Sequence, residues 1–402
     1  MFITLIAGLT LMPALLAILG RKAFWPRVPK EGDVTRHRTW ERVALRVADS
    51  PKRAAAVVAA VLVVLALGCL LYSPRFSFTE DFLTSMPSSE GYALLEKHFP
   101  KGALAPTTVL IKTQEAPPEF VTGMITGILN KAPGVAAAFP TGTADGGKLL
   151  AFQVILKGDP YSKEALQQIQ DLRKIARDAA ARGGGIALVG GPTATQADTW
   201  AQSNRDTIVV AVVALVVVGA ILMLLLRAVI APLYLLLTNV LSYLAALGAT
   251  IVITEKILGW EHISYRIPLY MFIFLVALGS DYNIFITTRI RSEAMARGLR
   301  DGTVKALSAT GGVLTSAGII LAGTFLILLS QPVKDLAEIS IGVALGVLID
   351  TFLVRTALVP GLTLWIGPKA GWPGPRWTKS AEAARERPQG TLVSGEPVGD
   401  EA

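Results

Sequence analysis

Cysteine occurs once in the 402 residues, histidine three times, and only 17% of the chain is charged. The lone Cys69 can form no internal disulfide, so a disulfide-stapled fold is excluded. His37, His98 and His262 fall in different polar segments, which removes both a zinc site and a Ser-His-Asp triad. The shortage of charge has the larger consequence. With 52% hydrophobic residues and a mean hydropathy of +0.52, the chain does not fit a soluble class. A bilayer core of about 30 Å takes roughly 20 apolar residues per helix, and several runs of that length recur. Disordered and collagen-like chains are excluded with the soluble ones.

The apolar runs lie at 1–19, 54–73, 207–226, 229–253, 267–288, 308–329 and 338–366, which gives seven candidate spans. The segment Arg21–Arg53 holds ten Lys or Arg against four acids, and Arg289–Lys305 holds five against two. By the positive-inside rule both are expected to be cytoplasmic. The nearly charge-balanced segment 74–205 then falls on the extracytoplasmic side. The net charge of +8 is therefore topological, and nucleic acid is not an expected partner. All seven tryptophans lie at or beyond span ends, where an amphipathic ring prefers to sit. Residues 36–50 set Trp40, Val43, Ala44 and Val47 at helical spacing among arginines. A short helix on the inner leaflet and a solvated basic linker both fit them.

Residues 10–26 and 357–373 share eight of seventeen positions at a constant offset, among them Pro13/Pro360, Gly20/Gly367, Lys22/Lys369 and Trp25/Trp372. Each copy ends an apolar span with the same Pro, Gly, Lys and Trp. Residues 1–20 are accordingly expected to be the last helix of a mostly missing first repeat, followed by a full second unit. In that unit 21–53 is a basic cytoplasmic loop, 54–73 a span, 74–205 an outer domain and 206–366 a five-helix bundle. The Pro-rich, weakly apolar remainder, 367–402, is expected to be a disordered cytoplasmic tail.

Within 74–205 a short lead precedes a strand at Thr107–Lys112, a helix at Pro118–Lys131, and strands near Val135 and at Leu149–Leu156. A helix at Ser162–Arg182 and a strand at Ile186–Val189 complete the order β-α-β-β-α-β. This is the split βαβ pattern of ferredoxin-like folds. The expected fold class is thus a polytopic α-helical membrane protein with one extracytoplasmic α+β domain. Gly183, Gly184 and Gly185 end the second helix. Gly190, Gly191 and Pro192 read as a turn rather than a phosphate loop, since no lysine follows.

An ionisable residue inside a span costs about 2.5–3.5 kcal/mol to insert, so each one is a functional candidate. Asp281 lies in the middle of span 267–288, beside Tyr282 and Asn283. A carboxyl isolated there is expected to hold its proton more tightly than usual, as a proton carrier must. Tyr282 can relay, although neighbours on a helix point about 100° apart. Asp350 follows Gly342 and Gly346 by one turn, so it is expected on the face where a second helix approaches. With Arg355 five residues on, a structural ion pair and a relay role both stand. The span holding Gly311, Gly312, Thr315 and Ser316 is the candidate to pack beside Asp281, those hydroxyls being possible relay or structural partners.

The runs GSDYNIF (279–285), TSAGIILAGTF (315–325) and LIDTFLVRTALVP (348–360) resemble the MmpL-type transporters of the resistance-nodulation-division superfamily. HFPKG (98–102) and VGGPTATQAD (189–198) are similar to that family's porter module. The resemblance implies an exporter in the cell membrane, driven by the proton as coupling ion without other cofactor or metal. Its cargo would be lipids or other hydrophobic molecules. It also puts Asp281 and Tyr282 on the Asp-Tyr relay pair of the second half. The family pattern has twelve spans, two porter modules and two such pairs, whereas this chain has one. A missing N-terminal half, a separate subunit or a second copy is then the implied partner, with membrane lipids around it. Two rival readings remain: a non-transporting partner subunit or sterol-sensing-like module, and an intramembrane aspartyl protease. Against the protease, the order is DY rather than YD, and no Gly-x-Gly precedes the second Asp.

Overall fold

The structure is a computed structural model that describes residues 2–20, 22, 38–76, 81–182, 184–374 and 377–378. Trp25, Gly183 and the stretch 379–402 of the expected tail lie outside the described residues. The first helix, α1 (Phe2–Leu19), is largely apolar, and its described side chains are exposed apart from half-buried Ala7. It is followed by α2 (Arg38–Asp49) and α3 (Pro51–Ala66), which tightens into 3-10 geometry as far as Leu71. Pro51 opens α3 at a position where a missing N–H costs nothing.

The outer domain begins at β1 (Pro74–Arg75) and contains α4 (Pro87–His98), β2 (Thr107–Lys112), α5 (Glu119–Asn130), β3 (Val135–Ala144), β4 (Leu149–Leu156), α6 (Lys163–Ala181) and β5 (Ile186–Gly190). Its sheet runs β3-β4-β2-β5, with every pair antiparallel and Val109 opposite both Phe152 and Val189. This is the expected ferredoxin-like order. Strict alternation in β4 buries Leu150, Phe152, Val154 and Leu156 against Ile125 and Leu129 of α5 and Leu166, Ile169 and Leu172 of α6. The expected short lead before β2 instead contains α4. That helix buries none of its residues, so it has no apolar period for sequence reading to find.

Gly191, at φ +108°, turns the chain out of β5, and Pro192 starts α7 (Pro192–Leu226). At 1.5 Å per residue its 35 residues make a rod of about 52 Å. The expected boundary at 205–206 therefore falls inside a continuous helix that joins the outer domain to the membrane bundle.

The bundle continues through α8 (Ile230–Val252), extended by a π turn to Ile257, then β6 (Ile263–Ser264), α9 (Ile267–Arg297), α10 (Leu299–Leu326) and α11 (Lys334–Ile349). A π-helical segment, Asp350–Leu358, leads into α12 (Val359–Ile366). Among the described residues six helices are long and apolar enough to cross a bilayer, and Leu5–Leu19 of α1 is a shorter apolar stretch. The expected basic loop 289–305 is helical. Only Gly298, at φ +90°, separates α9 from α10, a conformation that favours glycine. Gly302 then lets α10 lie on α9, since a Cβ there would stand 2.5 Å from the Ala294 nitrogen.

Residues 38–49 form a helix, but its apolar face meets protein rather than the leaflet. Ala44, Val47 and Ala48 are buried, Trp40 lies over Gly311, and Asp49 pairs with Arg300 at 2.6 Å. The chain after α12 also packs, contrary to the expected tail from 367. The Val229 amide donates to the Trp372 carbonyl at 2.8 Å, and Trp377 is only 1% exposed beside Gly371. Both copies of the repeated helix exit put their glycine at positive φ: Gly20 has φ +50° and Gly367 φ +72°.

Outer domain and bundle meet at a polar and aromatic seam. β1 pairs in parallel with β6, and Phe76 packs edge-on against Trp200 at 4.9 Å and beside Tyr265 at 5.6 Å.

Candidate functional site

The long helix α9 carries the run 279–285 at its centre and presents it to three different surroundings. Asn283 is fully buried, Tyr282 is half-buried and Asp281 is exposed. The 100° step per residue explains the division. Asp281 lies on a stripe with Tyr270, Phe274, Ala277, Phe285 and Arg289, all exposed, a face of α9 that the described residues leave largely open. Although α10 packs along α9, it leaves Asp281 uncovered.

On the opposite side a polar layer runs through the bundle. Asn283 Nδ2 donates to Asn239 Oδ1 at 2.6 Å, Asn239 Nδ2 to Ser280 Oγ at 3.2 Å, and Ser280 Oγ to the Val276 carbonyl at 2.6 Å. Gly279 makes room for this pairing, a Cβ there falling 3.2 Å from Asn239 Oδ1.

Beside this layer Asp350 and Arg355 form a buried ion pair through Oδ2 and Nη2. Their spacing of five residues would put them about 140° apart on an α-helix. The π-helical segment that contains both closes its backbone bonds from i to i+5, which stacks them on one face. The guanidinium carbon of Arg355 in turn sits 3.7 Å from the centroid of the Tyr282 ring, a close cation–π contact. Tyr282, Arg355 and Asp350 are thus brought together, and Asp281 is not among them.

The remaining predicted residues have packing or local roles. Gly342 meets the Met271 side chain, and Gly346 meets Leu275, whose Cδ2 would stand 2.5 Å from an added Cβ. This contact locks α11 onto α9 and places Asp350, one turn on, in the interior. Gly311 receives Trp40, and Gly312 is half-buried. Thr315 Oγ1 donates to the Gly311 carbonyl at 2.9 Å and Ser316 Oγ to that of Gly312 at 2.6 Å. Both hydroxyls are therefore spent on their own helix.

At the extracytoplasmic end lies a second charged cluster, centred on Arg75, which is 3% exposed. Its Nη1 donates to Glu338 at 2.8 Å and to the His262 carbonyl at 3.1 Å, Nη2 to Asp335 at 2.9 Å, and Nε to Asp81 at 3.4 Å. Glu338 also accepts from the Ser264 amide at 3.0 Å. Burial works against the charge on Arg75, but Glu338, Asp335 and Asp81 outweigh it and hold the guanidinium above its usual value. Burial, helped by Asp335, pushes the Asp81 carboxyl up. Arg75 follows a span directly, and sequence reading gave it no role. Its acids lie up to 263 positions away, and no local signal marks the pairing.

The model of the MMPL family matches residues 1–54 and 84–391. A membrane protein of Streptomyces coelicolor, SCO5905, is 39% identical over 379 residues, covering 92% of this chain and 44% of its own length. The apo-petrobactin exporter of Bacillus anthracis is 37% identical over 408 residues, 96% of this chain and 54% of that protein. The sulfolipid-1 exporter MmpL8 of Mycobacterium tuberculosis is 33% identical over 272 residues, 66% of this chain and 24% of that protein. The chain spans about half the length of the first two relatives, or less.

Proposed function

The chain belongs to the MMPL family of the resistance-nodulation-division superfamily, and on that premise we propose that it is the C-terminal half of a proton-driven exporter of lipids or other hydrophobic molecules. It is a multi-pass membrane protein, and family members are transporters. Asp281 and Tyr282 are read as its half of a proton relay. The observation that carries this reading is the place of Asp281, mid-helix on the largely open stripe of α9. A carboxylate facing lipid there would cost about 2.5–3.5 kcal/mol. Contact with a second bundle removes that cost and gives the carboxyl a partner to exchange protons with. The other half of a protein of the relatives' length supplies such a bundle, and a separate subunit or a second copy of this chain are the other sources. A proton crossing the field is worth about 2.3 kcal/mol per 100 mV, enough to bias a transport cycle when loading and release face opposite sides.

The test is gradient-driven flux in proteoliposomes holding the intact exporter. Asp281→Asn is expected to insert and elute like the unsubstituted protein, yet to lose flux driven by an imposed proton gradient. Unchanged gradient-driven flux in that variant removes the relay.

A further inference from the structure

The interior of the bundle holds polar atoms that the relay reading does not use. Asp350 Oδ1 and Arg355 Nε and Nη1 are buried without a hydrogen-bond partner among the described residues. A buried charged group with unmet bonding capacity is a costly defect that native folds correct with a protein group or an ordered water. A cavity of about 10 Å³ lies against Asp350, Arg355, Asn239, Ser242, Gly279 and Gly346. That is room for one water molecule, in a lining polar enough to hold it. Gly279 and Gly346 keep the space open, since a Cβ on either would press on Asn239 or on Leu275.

We infer that this cavity is a water site built by Asp350, Arg355 and Asn239, and that through it Arg355 becomes the positioning residue of Tyr282. A water there donates to Asp350 Oδ1 and Asn239 Oδ1 and accepts from a guanidinium N–H. This meets the free Asp350 oxygen and one of the two unpartnered guanidinium nitrogens without drawing Arg355 off the tyrosine. The ion pair fixes one side of the guanidinium through Nη2, the water fixes another, and the flat face lies over the ring at 3.7 Å. A bound metal cation is disfavoured by the guanidinium in the same lining. Asn239 thereby gains a role that no motif marks: its amide ties the site to Ser280 and Asn283 of α9. The water site is independent of the relay reading, and only its link to transport rests on that reading.

The experiment uses the intact exporter in lipid nanodiscs. Pulsed radiolytic hydroxyl-radical labelling, which marks side chains beside bound water, is expected to modify Leu275 and Leu278, which also line the cavity. Asn239→Leu is expected to suppress that labelling. With 3-fluorotyrosine incorporated and the Tyr282 resonance assigned by its loss in Tyr282→Phe, both Asn239→Leu and Arg355→Lys are expected to shift the signal. Arg355→Lys keeps the charge and the fold but not the flat stack. In proteoliposomes both are expected to lower the maximal gradient-driven flux about 10-fold at unchanged substrate KM, since a misplacement of about 1 Å costs up to about 100-fold. No labelling of Leu275 or Leu278 in the unsubstituted protein overturns the water site. A Tyr282 resonance that stays put in both variants overturns the positioning role. Failure of the relay reading shows separately, as retained coupling in Asp281→Asn with the Tyr282 shifts intact.

Discussion

Replacing Arg75 by leucine tests how the last span is held to the outer domain. The guanidinium bridges three segments that are remote in sequence: Asp81 after β1, the His262 carbonyl before β6, and Asp335 and Glu338 on α11. Leucine fills much of the volume but leaves three carboxylates to find new partners. Two of them can. Asp335 keeps Arg266 at 3.5 Å and the Ser264 hydroxyl at 3.2 Å, and Asp81 is 20% exposed and can hydrate. Glu338 has no exposed side-chain surface and retains only the Ser264 amide. The loss is thus concentrated on one buried carboxylate, and removing one partner of a buried pair costs about 3–5 kcal/mol. Chemical unfolding of the full-length protein in mixed micelles should resolve this easily. Adding Glu338→Gln is expected to recover about 0.5–3 kcal/mol of it, the usual range for directly coupled sites. The pH response carries the sign. An acid held above its unfolded pKa binds its proton more tightly in the fold, so stability rises as pH falls through the folded pKa towards the unfolded one. Asp81 is such an acid, and without Arg75 its carboxyl climbs further. The leucine variant should therefore regain part of its stability as pH is lowered from neutral. A loss below about 1 kcal/mol, or no recovery with Glu338→Gln, refutes the argument.

Three further outcomes follow from other sites. Asp350→Asn strands the Arg355 charge in the interior and should lower folded yield, at about 3–5 kcal/mol, in detergent gel filtration where Asp281→Asn elutes normally. Gly346→Val drives a side chain into Leu275 and should cost about 1–3 kcal/mol as overpacking, read as a lowered Tm. In the outer domain the Arg173 bond, 2.5 Å long, holds the Asp198 carboxyl below its usual value. That stability is present above the unfolded pKa and disappears as pH falls through the lower folded one. Because Asp198 is largely exposed, Arg173→Ala should cost less than about 1 kcal/mol at neutral pH and nothing in acid.

The elements that sequence reading found are those whose burial follows a period. Alternation in β4 and the two helical stretches behind it gave the ferredoxin-like sheet, and six of the seven long apolar runs lie in helices long enough to span. The boundaries failed where helix continued through polar or charged sequence. The polar residues 192–206 belong to α7, the basic residues 289–305 to a helical hairpin hinged at Gly298, and α4 has no buried side. At the site, Asp281, Tyr282 and Asp350 stood out as polar residues in apolar runs. Their division was only half legible. The 100° step separates Asp281 from Tyr282, but the pairing of Asp350 with Arg355 depends on π geometry, which no residue spacing announces. Asn239 is an uncharged residue among apolar ones, and Arg75 follows a span end, where a cation ordinarily reaches for water.

The two charged clusters divide the work of holding α11. At its outer end Asp335 and Glu338 tie it to Arg75 and the seam. Just past its inner end Asp350 ties the chain to Arg355 and, through the stacked ring, to Tyr282 of α9. Between them Gly342 and Gly346 press α11 directly onto α9. A shift of α9 that moved Tyr282 would therefore be carried to Arg355, along the glycine contact and out to the segment that starts the outer domain. Asp281, about 100° round the same helix from Tyr282, makes none of these contacts. In the relay proposed above, a carboxyl so placed would exchange its partner without breaking a bond among the described residues, while the tyrosine next to it in sequence is fastened to Arg355 and, through it, to Asp350. For the proposed relay, that asymmetry within one dipeptide would supply one side chain to exchange and one to transmit.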